Sequence, residues 1–228
     1  MHYVLHVLVP DFIEVYDIPD VISAMLDPFD ENKSVDPYAT RCYCVNDIAT
    51  IESWELAAKG YGKTFSELED EYNFLPKETR PSWSEYIRPF LELREQKEKE
   101  HPMYQKPNPE CKECDGTGHM LTTDNPNGRW DWYVIGGRWS GWLTQDQTIS
   151  HFPYFDDVEN NVVAVSIAKE KAVKGKCIPL AVLTPDGHWY DRDDLEDTEE
   201  QEEIWRQKYL EILDRYPNTK VVVVDCHC

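Results

Sequence analysis

The chain has 228 residues, which is enough for one large domain or for a domain carrying a sizeable insertion. Hydrophobic residues make up 41% and charged residues 29%, a balance that supports a buried core and excludes wholesale disorder. With 23 Lys and Arg against 44 Asp and Glu, the net charge of −21 argues against direct binding to a nucleic-acid backbone, while it allows a basic protein partner or mimicry of nucleic acid.

Residues 3–9, rich in Val and Leu and closed by Pro10, read as a buried strand. The segment has no basic flank and soon meets Pro10 and Asp11, so it does not read as a secretion signal. Asp17 is placed to cap a helix in which Ile18, Val21, Ile22, Met25 and Leu26 share one face, and Pro28 is expected to end it. Residues 28–50 read as irregular. Residues 51–106 read as helices in pieces, with Thr64/Glu67 and Ser82/Glu85 spaced as capping boxes. A loop is expected over 107–128, then aromatic strand material over 130–143 with a bend at Gly136 and Gly137, then a short strand over 162–167. Residues 179–183 and 188–190 flank the sequence Thr184-Pro185-Asp186-Gly187, which suits a type I turn and so predicts a hairpin. Between Asp191 and Glu203 nine residues are acidic and one is basic. Thr198 is placed to start a helix with Gln201 as its capping-box partner, and Trp205, Tyr209, Ile212, Leu213 and Tyr216 form the apolar stripe. Residues 220–225 contain four consecutive Val, which predicts a central strand buried on both faces.

This order of elements is that of a ferredoxin-like βαββαβ core, an α+β fold carried by residues 1–27 and 129–228, with 28–128 inserted as a helical and zinc-knuckle region. In that fold the first and last strands are neighbours, and the helices over 18–26 and 199–216 pack on one face of the sheet. No apolar run approaches the roughly 20 residues that span a bilayer. A cytoplasmic location with no membrane partner is expected.

The seven cysteines, unevenly spaced and without an export signal, read as thiols or metal ligands rather than a disulfide framework. Cys111 and Cys114 belong to the sequence CKECDGTG, in which a tight glycine-permitted turn aims two sulfurs at one point. The eight residues resemble half of a DnaJ-type zinc motif. Cys42 and Cys44, which an extended chain would point to one face, are the first choice to complete a four-thiolate zinc site. His119, Cys177 and Cys226-His227-Cys228 are the other candidates. A metal-free turn and a redox dithiol are the alternatives.

Four Trp and one Tyr lie between Trp130 and Trp142, together with Asp131 and Arg138. Extended, the segment would place Trp130 and Trp132 on one face and Asp131 and Tyr133 on the other. One reading is a tryptophan-rich core strand. The other is a binding site formed by Trp130, Asp131, Trp132, Tyr133, Arg138 and Trp139, in which aromatic walls hold a planar or apolar group and Arg138 anchors an anion. A third group, Asp30, Glu31 and Asn32 with Asp225 and His227, could serve as metal ligands or as acid and base, or could be a solvated chain end.

The segments MLDPFDEN at 25–32, DPY at 36–38, the CKECDGTG knuckle and NPNGRWDWYVIGGRW at 125–139 resemble, in their order, a family of uncharacterised phage and prophage proteins. The similarity spans residues 25–142 and implies a phage accessory protein, without supplying an activity or a catalytic residue. The leading expectation is a zinc-containing protein of the host cytoplasm that binds and modulates a host protein, such as a defence component. The alternatives are a small-molecule or nucleotide-binding protein or hydrolase using the Trp/Arg-rich region, and an acidic DNA mimic. No GxSxG, HExxH, phosphate-binding loop or dinucleotide fingerprint occurs, so an enzyme is the less favoured reading.

Overall fold

Val221, Val222, Val223 and Val224 are all fully buried, which requires that both faces of their strand be covered. The computed structural model describes residues 1–77, 79–145, 158–192 and 198–228, and shows a mixed α+β protein in two units: Met1–Val35 with Asp124–Cys228, and Asp36–Thr123. In the first unit the valine strand, β8 (Thr219–His227), pairs antiparallel along its whole length with β1 (His2–Pro10). Its other edge is shared by β4 (Trp132–Ile135) and β5 (Val162–Ala164). Beyond β1 lie β6 (Ala181–Leu183), which runs parallel to it, and β7 (Trp189–Asp191), antiparallel to β6.

Alternate residues of the central strands serve different helices. Val4, Leu8, Val221 and Val223 pack with Ala168 and Ala172 of α5 (Val165–Val173) and with Trp205, Tyr209, Ile212 and Leu213 of α6 (Glu199–Arg215). Leu5, Val7, Val9, Val222 and Val224 pack with Ile18, Ile22 and Leu26 of α1 (Ile18–Leu26). Each fully buried Val, Leu or Ile among them contributes about 1.5–3 kcal/mol of transfer free energy.

The first and last strands are neighbours, but two further features of the expected core differ. A ferredoxin-like sheet sets the second strand of the hairpin antiparallel beside the first strand of the chain. Here β6, the first strand of the hairpin, takes that place and runs parallel. The helices over 18–26 and 199–216 also lie on opposite faces, because β1 and β8 are apolar on both sides and one helical layer would leave half of them wet. The segment 162–167 is a strand for three residues only. Val165, Ala168 and Ala172 then sit at i, i+3 and i+7 of a helix whose small buried residues give a weak apolar signal. The hairpin forms as expected, with Gly187 N–H donating to Thr184 O at 2.9 Å. Asp17 stands at the N-cap of α1 without a side-chain cap bond, while Thr198 accepts the Gln201 N–H at 3.3 Å. The acidic run 191–203 falls partly on residues 193–197, outside the described residues.

The second unit holds α2 (Asp47–Tyr61), α3 (Phe65–Phe74) and α4 (Trp83–Glu100), packed around Ala57, Leu68, Ile87 and Phe90. Both expected capping boxes are present, at Thr64/Glu67 and Ser82/Glu85. An antiparallel ribbon of β2 (Tyr38–Arg41) and β3 (His119–Thr122) forms where the sequence reads as loop, since each strand is only four residues long. The sequence reading inserted residues 28–128. Residues 28–35 and 124–128 fall in the sheet unit, where Glu31 N–H donates to Trp130 O and Arg129 N–H to Phe29 O.

His6 is fully buried on the α6 side of β1, with Nδ1 2.7 Å from the Tyr209 hydroxyl, and burial lowers its pKa from 6.5 to about 3. The unfolded chain therefore binds a proton that the folded chain refuses. The stability this histidine permits is complete above pH 6.5 and falls as pH drops from 6.5 towards 3. The loss amounts to at most about 1.4 kcal/mol per pH unit. His6→Phe should lower stability at neutral pH, by stranding the Tyr209 hydroxyl, and should flatten the acid limb by one proton. Urea unfolding at several pH values reads this slope, and an unchanged slope in the variant would contradict the assignment.

Candidate functional site

Two groups of chemically active side chains stand out, one in each unit. In the Asp36–Thr123 unit, Cys42 follows β2 directly and Gly118 precedes β3, so the ends of one ribbon deliver both cysteine pairs to one place. Cys42 N–H donates to Gly118 O at 2.9 Å. Cys42 and Cys44 lie in a turn closed by Val45 N–H to Cys42 O at 3.1 Å, rather than in the expected extended chain, and the turn exposes Tyr43 between them. The second turn depends on its glycines. Gly116 has φ +73°, and a Cβ there would lie 2.8 Å from Pro109 O.

The four sulfurs all lie within 4.8 Å of one another, a group that could hold a metal ion. Cys42 and Cys111 are 3.8 Å apart and Cys44 and Cys114 3.5 Å. A tetrahedron of Zn–S bonds of about 2.3 Å has S–S edges of about 3.8 Å, so the donors fit one metal. Burial opposes ionisation of Cys114, but the Gly118 N–H, 3.3 Å from its sulfur, and the neighbouring thiols outweigh that and bring it down to about 7. Burial, followed by the Cys114 contact, pushes Cys44 up to about 12. Asn46, at φ +79°, links this centre to the helices, because its side chain donates to Glu98 and accepts the Gln105 N–H at 2.9 Å. The other candidate ligands lie elsewhere: His119 is exposed on β3, Cys177 donates to Trp142 O at 3.2 Å, Cys226 is buried in the sheet, and Cys228 is exposed.

In the sheet unit, the aromatic run divides by strand alternation. Trp130 lies before β4, is buried, and donates its indole N–H to Leu26 O at 3.1 Å. Tyr133 meets it edge-on at 4.9 Å, and Trp139 packs on the α6-side core. Trp132 is half exposed on the opposite face of β4 from Tyr133, and Arg138 is exposed. Trp130 and Trp132 therefore do not share a face. Trp132 and Tyr133 cannot wall one pocket, because successive residues of a strand point to opposite sides.

Trp132 instead joins a row that crosses three strands, Trp132–His227–His2, each opposite the next in register. His227 Nδ1 lies 2.7 Å from Asp131 Oδ1, and His2 Nδ1 2.8 Å from Asp225 Oδ1. Asp225 is 2% exposed, and its second oxygen accepts the Arg138 N–H at 3.0 Å. Gly136 and Gly137 make this possible, with φ +78° and +50°. A Cβ at the first would lie 2.4 Å from the Asn161 side chain, and at the second 2.5 Å from that of Asp225. The Asp30–Asn32 loop reaches the same corner through Asn32 Nδ2, which donates to Asp131 O at 2.9 Å. His2 was missed in the sequence. The signal lay in the pairing itself, since the start of the first strand must meet the end of an antiparallel last strand.

No family model, curated protein or solved structure matches the chain. Among the described residues no helix is long and apolar enough to cross a membrane.

Gly137→Ala should displace the Asp225 carboxylate or the loop. Because Ala fits poorly at positive φ, the substitution is expected to cost more than about 1 kcal/mol. Chemical denaturation measures this, and a loss within error would show that the corner tolerates the added Cβ.

Proposed function

We propose that this protein is a zinc-stapled accessory protein of phage or prophage origin that binds and modulates a host protein. The observation that carries the binding reading is the exposure of Trp132 and Arg138 on a corner whose backbone is held by Asp225 and Asn161. Aromatic side chains bury large area at low cost in lost rotamers, Arg contributes a planar fork of donors, and a well-held backbone reduces the ordering cost further. The net charge of −21 favours a basic partner surface. The phage origin, the host cytoplasm as location and a defence component as partner rest on the resemblance of the segments at 25–142. The ferredoxin-like comparison extends to the antiparallel β8–β1 pair and to the chain order β1, α1, then β6–β7 hairpin, α6 and β8.

Zinc is the metal that soft thiolates at these spacings suit, through Cys42, Cys44, Cys111 and Cys114. Four thiolates leave no open position, so its role is structural. Purified protein is expected to carry one zinc per chain and to lose it on Cys111→Ser. Chelation should speed amide exchange over 38–46 and 107–122 far more than in β1 and β8. Elemental analysis showing no zinc on reduced protein would sink the metal assignment.

The binding reading is tested with affinity-captured partner from a bacterial host. Trp132→Ala and Arg138→Ala should each weaken the complex by about tenfold or more, the scale of a dominant contact residue, while the melting temperature is kept. Unchanged binding in both variants would move the working surface away from this corner.

A further inference from the structure

The row His2–His227 has a property that a protein-binding corner does not require. We propose that the Nε2 atoms of His2 and His227 form a second metal site, separate from the cysteines, for a divalent transition-metal ion of the Zn²⁺, Ni²⁺ or Cu²⁺ class. The two imidazoles lie opposite each other in register across the β1–β8 pair, edge to face at 70° with ring centroids 5.0 Å apart. Each has its Nδ1 on a carboxylate, His2 on Asp225 and His227 on Asp131. A carboxylate only accepts, so each Nδ1 carries a proton, and in the neutral ring Nε2 then holds the lone pair. That is the tautomer a metal ligand needs and the outer partner that metal-bound histidines commonly have.

The supporting oxygens are held unequally. Asp225 is almost fully buried and fixed by the Arg138 N–H, whereas Asp131 is partly exposed, as are the two rings. No third His, Cys, Asp or Glu side chain joins the pair in a tight cluster among the described residues. The ion would therefore keep coordination positions for water or for an incoming donor, beside the half-exposed Trp132, whose ring lies 5.9 Å from His2. The cysteine centre is closed and sulfur-rich, and this one would be open and nitrogen-rich, so the two differ in metal preference as well as in place.

The experiment titrates untagged, zinc-containing full-length protein with Ni²⁺ and follows both calorimetry and the nitrogen-15 ring signals of the histidines. One equivalent of Ni²⁺ should bind without releasing zinc, and the His2 and His227 signals should broaden together. The signal of His188, whose Nδ1 also lies by a carboxylate at 3.1 Å, should stay sharp. His2→Gln and His227→Gln should each weaken binding at least about tenfold, Asp131→Ala by roughly tenfold as a positioning residue, and His188→Gln not at all. The site is refuted if His2 and His227 do not broaden together, or if folded His2→Gln and His227→Gln bind Ni²⁺ as the parent does. If either variant fails to fold, the ring signals of the parent decide alone. Zinc lost on Cys111→Ser but kept in His2→Gln and His227→Gln reports on the cysteine centre separately, so failure of one assignment does not imply failure of the other.

Discussion

The requirement that β8 be covered on both faces organises the sheet unit. Four adjacent valines cannot be half solvated without exposing two of them. β8 therefore sits between β1 and the β4/β5 pair in the plane of the sheet, and between α1 and α5/α6 across it. β1 follows the same logic with Leu5, Val7 and Val9 on one side and Val4 and Leu8 on the other. Full-length antiparallel pairing of two such strands brings the start of one to the end of the other, and His2 opposite His227 follows from that pairing.

The corner at the end of this pair is built from groups that a core strand would avoid. Asp225 is a buried carboxylate, and it is tolerated because His2 and the Arg138 N–H satisfy its oxygens. Gly136 and Gly137 let the backbone come close enough to make that contact. The glycines thus serve an intramolecular approach rather than that of an external partner. The consequence is a rigid edge from which Trp132 and Arg138 project.

The Asp36–Thr123 unit solves a different problem. Its helices have a small aromatic core of their own, but the β2–β3 ribbon and its two turns bury little beyond the cysteines and Met120. Where apolar burial is scarce, what the two turns share is the four-cysteine group, which could hold a metal ion. The Asn46 side chain connects the two parts of the unit by hydrogen bonds to Glu98 and Gln105.

What the sequence determined was local or strongly periodic. The valine run, the α6 stripe, both complete capping boxes, the Thr184–Gly187 turn and the grouping of Cys42, Cys44, Cys111 and Cys114 were all legible in it, because each depends on residues near one another in the chain or on a side-chain type with few other uses. The four-residue strands β2 and β3 and the alanine-faced α5 carried too little pattern to read. Strand order, the parallel β1–β6 pair and the placement of α1 opposite α6 were decided only in three dimensions, since a strand's apolar face records that it is covered and not by what. The same holds for the aromatic run. Alternation along β4 could be counted, but which side faced Trp130 and which faced His2 depended on the register with β8, and that register is fixed by the packing of the whole sheet.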